Sequence, residues 1–338
     1  MAHDRFTLID LPAEKRRVRF AADVAAGLAA SPKHLSCCYF YDGLGSRLFE
    51  AICELPEYYL TRAEAAILRA HAAEIAALYS GPTDLIELGS GSAAKTRLLI
   101  DALLRRHPAQ RYVPIDICRT VLEESARELL QTYSGLEILA IAGEYHDGLE
   151  HLRARVPADV AAPARGPAPR LIVWLGSNIG NLERSEAAQF LRRMRATLSA
   201  SDRLLVGIDL RKDSTVLEAA YDDPCGVTGA FNRNLLARIN RELGGRFDLR
   251  AFEHRAIYNE KAGRIEMYLV STRTHQVRID SLGIDVHFAA EETIHTENSY
   301  KYSADQIAAL ASAAGLRLDR AWRDPDGLFQ SNLLARAP

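Results

Sequence analysis

From Thr83 onward the chain repeats a pattern that few folds accommodate. Short apolar runs ("DLIEL", "RYVPIDI", "LEILAIAG", "RLIVWLG" and "RLLVGIDL") alternate with helix-like segments such as "KTRLLIDALLRRH", "VLEESARELLQTY" and "SEAAQFLRRMRATL". Strands alternating with helices at this spacing argue for βαβ units and a parallel sheet. The stretch "VPADVAAPARGPAPR", ahead of the fourth run, is rich in Pro and Ala and is expected to be an exposed loop. After Arg211 the alternation stops. "LEAAYDDPCGVTGAFNRNLLARINREL" reads as a loop feeding a helix. "FDLRAFEHRAIYNEKAGRIEMYLVSTRTHQVRI" reads as antiparallel strands turning near Lys261-Ala262-Gly263.

The other end of the chain differs in character. The first sixty residues read as helix and loop, with an aromatic, turn-rich patch, "YFYDGLGSRLFEAICELPEYYLTR", followed by an alanine-rich helix that Gly81-Pro82 breaks. The expected division is an α/β domain at 63–212 plus 302–338, and a second domain at 10–62 plus 213–301. A formal charge of -2 argues against a protein that coats nucleic acid, which needs a basic field. No apolar run is long enough to span a membrane, and the N-terminus lacks the apolar core of a signal peptide. The five cysteines form no CxxC pair and are odd in number, so neither a zinc site nor a disulfide framework is expected. A cytoplasmic protein fits these features, and near-neutral charge with an inserted domain suggests a monomer.

The stretch "DLIELGSGSAAKT" sets Gly89 and Gly91 directly after a strand and before a helix, where backbone approaches a ligand at a helix N-terminus. Three readings are open. A P-loop fails on Ala94, which stands where its last glycine belongs. A dinucleotide fingerprint is met by Gly89, Gly91 and Ala94, with Asp116 about twenty residues on. An S-adenosylmethionine methyltransferase would use Glu87 at the end of the first strand and Asp116 at the end of the second. The terminal "LRLDRAWRDPDGLFQSNLLARA" resembles the closing β-hairpin of Rossmann-like methyltransferases, which a dehydrogenase does not require.

Four stretches carry a narrower resemblance: "YDGLGSRLFEAICELPEYYLTR", "LGSNIGNL", "AYDDPCGVTGAFNRN" and "RIEMYLVS" with "ETIHTENSYKYS". In that order they resemble the histidine Nα-methyltransferases of ergothioneine biosynthesis, from about Phe20 to the C-terminus. The resemblance implies an α/β fold: a Rossmann-like class I methyltransferase core with a second α+β substrate-binding domain. It implies S-adenosylmethionine as cofactor and free L-histidine as substrate, trimethylated on its α-amine to hercynine. It assigns Tyr41, Gly89, Lys95, Asp116, Gly143, Glu144 and Tyr145 to the cofactor. It assigns Tyr59, Asn181 and Tyr221 to the amino and carboxylate groups of the substrate. Glu297 and Ser299 would hold the imidazole, with Met267 lining that pocket. No metal, nucleic acid or membrane partner is implied.

The chemistry agrees with such a set. In-line methyl transfer asks an enzyme chiefly to align the reacting atoms and exclude water. The amine must lose a proton first, and Tyr59, acting through water, is the expected route, with Asn181 orienting the nitrogen. Two polar partners suit the two ring nitrogens of histidine better than the single N–H of an indole. Without the resemblance, Tyr58, Tyr59 and Met267 also read as core residues, and Asn178, Asn181 and Tyr221 as turn residues. Leu60, the "GSN" before "IGN", and Glu144 in place of a shorter acid depart from the family pattern. The rival readings are a methyltransferase acting on a tryptophan-like amine, an NAD-dependent oxidoreductase, and a non-catalytic S-adenosylmethionine-binding module.

Overall fold

The computed structural model describes residues 5–11, 13–155 and 168–337, and the chain divides into two compact units. The first comprises Met1–Leu11, Leu60–Leu210 and Tyr302–Pro338; the second, Pro12–Tyr59 and Arg211–Lys301. Most of the Pro/Ala-rich stretch expected to be a loop lies outside the described residues. Among the described residues no helix is long and apolar enough to cross a membrane.

The first unit is built on an eight-stranded sheet. Its spatial order is Phe6–Asp10, Leu136–Ala142, Gln110–Asp116, Asp84–Leu88, Arg170–Trp174, Arg203–Asp209, Phe329–Arg336, Leu316–Arg323. The first six run parallel. The last two form an antiparallel hairpin against Arg203–Asp209. The central strands are apolar almost throughout and nearly wholly buried, as parallel strands covered on both faces must be. The five strands and the hairpin expected from the sequence are all present. The Phe6–Asp10 strand was not expected: it pairs in register with Ile138–Ala142, a partner far away in sequence, and its half-exposed edge position gives it little apolar signal.

The order of connection reverses at Asp84–Leu88, which lies between Gln110–Asp116 and Arg170–Trp174. In an open parallel sheet such a switch point opens a crevice at the carboxyl ends of the strands, where ligands bind. The glycine loop after Leu88 and the "GSNIGN" turn after Leu175 both leave the sheet there.

The second unit has a four-stranded sheet in the order Lys33–His34, Thr293–Tyr300, Arg264–Ser271, Phe252–Asn259, and a separate ribbon of His275–Ile279 with Ile284–Phe288. Gly263, at φ +70°, closes the expected turn, and a side chain there would strike the Arg211 guanidinium. The Thr293–Tyr300 strand carries a bulge. His295 pairs with Tyr268 but Glu297 pairs with Met267, adjacent residues on opposite faces of the partner strand. The bulge therefore sends Glu297 and Ser299 to the face of Met267 and Ile265. His295 stays on the other face, where its ring meets Asn298 Oδ1 at 2.9 Å. Two-residue alternation alone would have put His295 and Glu297 side by side.

Candidate functional site

In the first unit the glycine loop is shaped by backbone that only small residues tolerate. Gly89 has φ +72° and Gly91 φ +50°. A Cβ on Gly89 would lie 2.6 Å from the Tyr145 hydroxyl and 3.4 Å from Asn178 Nδ2, so these two side chains close in on the loop. A Cβ on Gly91 would meet nothing within 4 Å, which leaves its backbone open to close approach. The Gly91 N–H donates to Asp116 Oδ2 at 3.0 Å and the Cys118 N–H to Asp116 Oδ1 at 2.9 Å. Burial raises the Asp116 pKa, and the backbone N–H groups of Cys118, Gly91 and Ile117 pull it partly back. The carboxylate keeps acceptor capacity for a further donor such as a ribose hydroxyl.

Behind the loop, Glu87 is buried and accepts from Thr96 Oγ1 at 2.5 Å and from the Tyr112 hydroxyl. Burial pushes its carboxyl up to about 7, against the lowering effect of those two donors and Lys95. Lys95 is held by Glu64, a fully buried carboxylate that also accepts from the Gly176 N–H at 2.8 Å. Glu64 has space only because Gly207 lacks a side chain, whose Cβ would lie 1.9 Å from Oε1. Lys95 and Gly176, from the two loops of the switch point, thus share one carboxylate. Gly143 is bonded to the end of the neighbouring strand through its N–H on Asp116 O at 2.8 Å, and packs against Leu11. Glu144 is half-buried beside it, and Tyr145 opens the next helix with its ring edge-on to Trp174 at 6.2 Å. Asn181 ends the Asn178–Asn181 turn and is half-buried.

In the second unit the re-aimed face of the Thr293–Tyr300 strand gathers a polar cluster in an apolar wall. Ser299 is 2% exposed and Glu297 9%. Beyond the strand end, Lys301 is fully buried; its ammonium donates to Ser299 Oγ and to the Tyr221 hydroxyl, each at 2.9 Å. The Tyr221 and Ser299 oxygens are themselves 2.9 Å apart. Burial pushes the Glu297 carboxyl up to about 7, and the Lys301 charge draws it back. Met267, buried, faces Glu297 across the ladder.

Aromatic rings line the same unit. Tyr58 stands 6.1 Å from Tyr221 and 6.1 Å from Phe49, and Tyr41 is edge-on to Phe49 at 5.6 Å. Tyr59 is buried, and its hydroxyl accepts from Lys212 Nζ at 2.6 Å while the same ammonium lies 4.5 Å from the ring centre. In the "YDDPCG" turn the residues divide their work: Asp223 accepts from the Val227 and Thr228 N–H groups at the start of a helix, and Tyr221 joins the cluster.

The structure thus brings Gly89, Lys95, Asp116, Gly143, Glu144, Tyr145 and Asn181 into the first unit, and Tyr59, Tyr221, Met267, Glu297 and Ser299 into the second. Tyr41, assigned with the cofactor residues, belongs to the second unit and sits among its aromatics. Sequence reasoning passed over Lys301, Lys212 and Glu64. For Lys301 a signal existed, since it continues the two-residue spacing of Glu297 and Ser299. Among the described residues no three His, Cys, Asp or Glu side chains are grouped to hold a metal ion.

Comparison with known proteins gives one family, described as "Histidine-specific methyltransferase, SAM-dependent", which matches residues 20–336. A histidine N-alpha-methyltransferase of Mycolicibacterium smegmatis is 44% identical over 326 residues, 96% of this chain and 98% of that protein. A protein of the same name from Mycobacterium tuberculosis is 46% identical over 314 residues, covering 93% and 94%. The ergothioneine biosynthesis protein 1 of Neurospora crassa is 32% identical over 295 residues, 86% of this chain but 32% of that longer protein.

Proposed function

This chain belongs to the SAM-dependent, histidine-specific methyltransferases, and from that premise we propose that it transfers three methyl groups in succession to the α-amine of free L-histidine. The product would be the trimethylated betaine, hercynine, and the reaction the first step of ergothioneine biosynthesis. The observation that carries the substrate reading is the buried face on which Glu297, Ser299, Lys301 and Tyr221 meet.

The first unit fits the cofactor: Gly91 opens to solvent at the switch point, and Asp116 keeps acceptor capacity beside it. Bound there, S-adenosylmethionine supplies an electrophilic methyl on a sulfonium sulfur. Asp116 would accept from its ribose hydroxyls, Glu144 and Tyr145 would hold its adenine, and Lys95, steadied by Glu64, would offer an ammonium to its amino-acid end. Gly89 and Gly143, whose Cβ positions Tyr145 and Leu11 already crowd, would meet it with backbone alone.

On the substrate side, Glu297 accepts the imidazole N–H, Ser299 donates to the other ring nitrogen, and Met267 packs on the ring. Tyr221 and Asn181 hydrogen-bond the amino-acid end, a set that reads a free amino acid. Each transfer requires a neutral nitrogen lone pair, so each must be preceded by loss of a proton from the ammonium form. Tyr59 is the acceptor, through water. The Lys212 ammonium donates to its oxygen and would offset the negative charge of a phenolate there. The same reading makes the protein a cytoplasmic monomer with no nucleic-acid or membrane partner.

Titration calorimetry with S-adenosylhomocysteine, NAD, histidine and tryptophan tests this directly. Binding of the first and third, with tryptophan and NAD silent, is the expected result. Tryptophan in preference to histidine would move the reading to another aromatic amine.

A further inference from the structure

A fully buried lysine is costly unless its charge does something for its surroundings. Lys301 is wholly enclosed, donates to two hydroxyl oxygens at 2.9 Å, and lies 4.5 Å from the centre of the Tyr221 ring. We propose that Lys301 is a positioning residue which fixes the Tyr221 and Ser299 hydroxyls as donors, so that the pocket accepts histidine only with a neutral imidazole ring. This inference rests on the reading of Glu297 and Ser299 as the imidazole partners.

An ammonium has only hydrogens to offer. Both oxygens must therefore accept from Lys301, and neither hydroxyl can point its own hydrogen back at it. Without ligand, the phenol, as the stronger acid, donates across the 2.9 Å gap to Ser299. Ser299 then has both lone pairs filled and only its hydrogen left for a ligand. With ligand, Tyr221 keeps that bond and meets the amino-acid end of the substrate as an acceptor, so the Ser299 hydrogen still faces outward. Either way Ser299 meets the ring as a donor, and it requires a ring nitrogen with a lone pair.

Glu297 supplies the complementary acceptor, drawn toward ionisation by Lys301. The other titratable groups near it are Cys37, in the short helix Cys37–Phe40, and Tyr58; burial holds both protonated. The pocket thus offers one donor, one acceptor and a balanced pair of opposite charges. A neutral imidazole, with one N–H and one lone pair, matches this. An imidazolium has no lone pair for Ser299 and adds a second cation beside Lys301.

The test compares histidine with 3-(1,2,4-triazol-3-yl)alanine, whose ring is far less basic but has the same donor and acceptor. The ratio of their kcat/KM values, histidine over triazole, is followed with pH, and the shared amine and Glu297 cancel. The ratio should fall about tenfold per pH unit below roughly 6.5, where the imidazole protonates. A flat ratio would overturn the proposal. Lys301→Met should raise the histidine KM at least tenfold and flatten the pH dependence of the ratio. Lys301→Gln, which keeps donors without charge, should recover part of the KM. S-Adenosylhomocysteine affinity should stay within twofold in both. Equal losses of cofactor and histidine binding in both variants would make Lys301 merely structural. Glu297→Gln and Ser299→Ala separate the two layers. If neither changes the histidine KM, the imidazole assignment itself fails; if both do and the wild-type ratio stays flat, only the role of Lys301 fails.

Discussion

Glu297→Gln should make the ligand-free protein more stable while making it a worse enzyme, and the stability gain should depend on pH. In the folded protein burial sets the Glu297 carboxyl at about 7, with Lys301 pulling it down, against about 4.3 for an unfolded glutamate. The folded state therefore holds this proton more tightly than the unfolded state. That contribution to stability is complete below pH ~4.3 and is lost as pH rises through about 7. Integrating between the two values gives a loss of about 2 kcal/mol between pH ~5.5 and ~8. Glutamine keeps the shape and cannot ionise, so the difference between variant and wild type should grow by that amount over the same interval. With a urea dependence of about 2 kcal/mol per molar, the midpoint gap should widen by about 1 M. Glu87, also near 7, titrates in both proteins and cancels. Urea unfolding of both proteins without ligand, at the two pH values, is the assay. A gap that does not change with pH, or a variant less stable at the higher pH, would refute the claim that burial makes Glu297 costly to ionise. Adding histidine should reverse the order, because only wild type gains a charge-assisted hydrogen bond to the ring, worth about 1.5–3 kcal/mol.

Other outcomes follow from the same geometry. Tyr59→Phe should lower kcat by about a hundredfold or more with little change in histidine affinity, read from single-turnover rates and calorimetry; turnover unchanged across pH would remove Tyr59 as the proton route. Gly207→Ala puts a methyl group 1.9 Å from Glu64 Oε1, so it should cost about 1–3 kcal/mol of stability and weaken S-adenosylhomocysteine binding, whereas Ala at Gly327, whose Cβ meets nothing within 4 Å, should leave cofactor binding intact. Gly89→Ala, strained at φ +72° and aimed at the Tyr145 hydroxyl, should reduce cofactor affinity at least tenfold with a smaller effect on histidine binding.

The periodic parts of the chain were legible and the long-range parts were not. "DLIEL" and its successors announced buried parallel strands because both faces of such strands must be apolar. The terminal hairpin was visible from its Pro-Asp-Gly turn. The Phe6–Asp10 strand was hidden, since a half-exposed edge strand carries no continuous apolar run and its partner is remote. The same holds at the polar sites. Glu297 and Ser299 stand two residues apart, which places them on one face of a strand, but only the ladder reveals the bulge that turns them away from His295. Glu64 looks like a solvated charge in sequence, and the spacing that Lys301 shares with Glu297 and Ser299 does not show that it is buried. What buries them, Tyr221 in one case and the gap at Gly207 in the other, lies far along the chain.

Every role proposed above depends on methyl transfer to the α-nitrogen of free histidine. Mass spectrometry of L-histidine incubated with the protein and S-adenosylmethionine tests it most directly, with fragmentation to locate the added groups. The product should be heavier by three CH₂ units, all on the α-nitrogen, with no modification of tryptophan or of a histidine-initiated peptide. Methyl groups on the ring, or a preference for tryptophan, would contradict it.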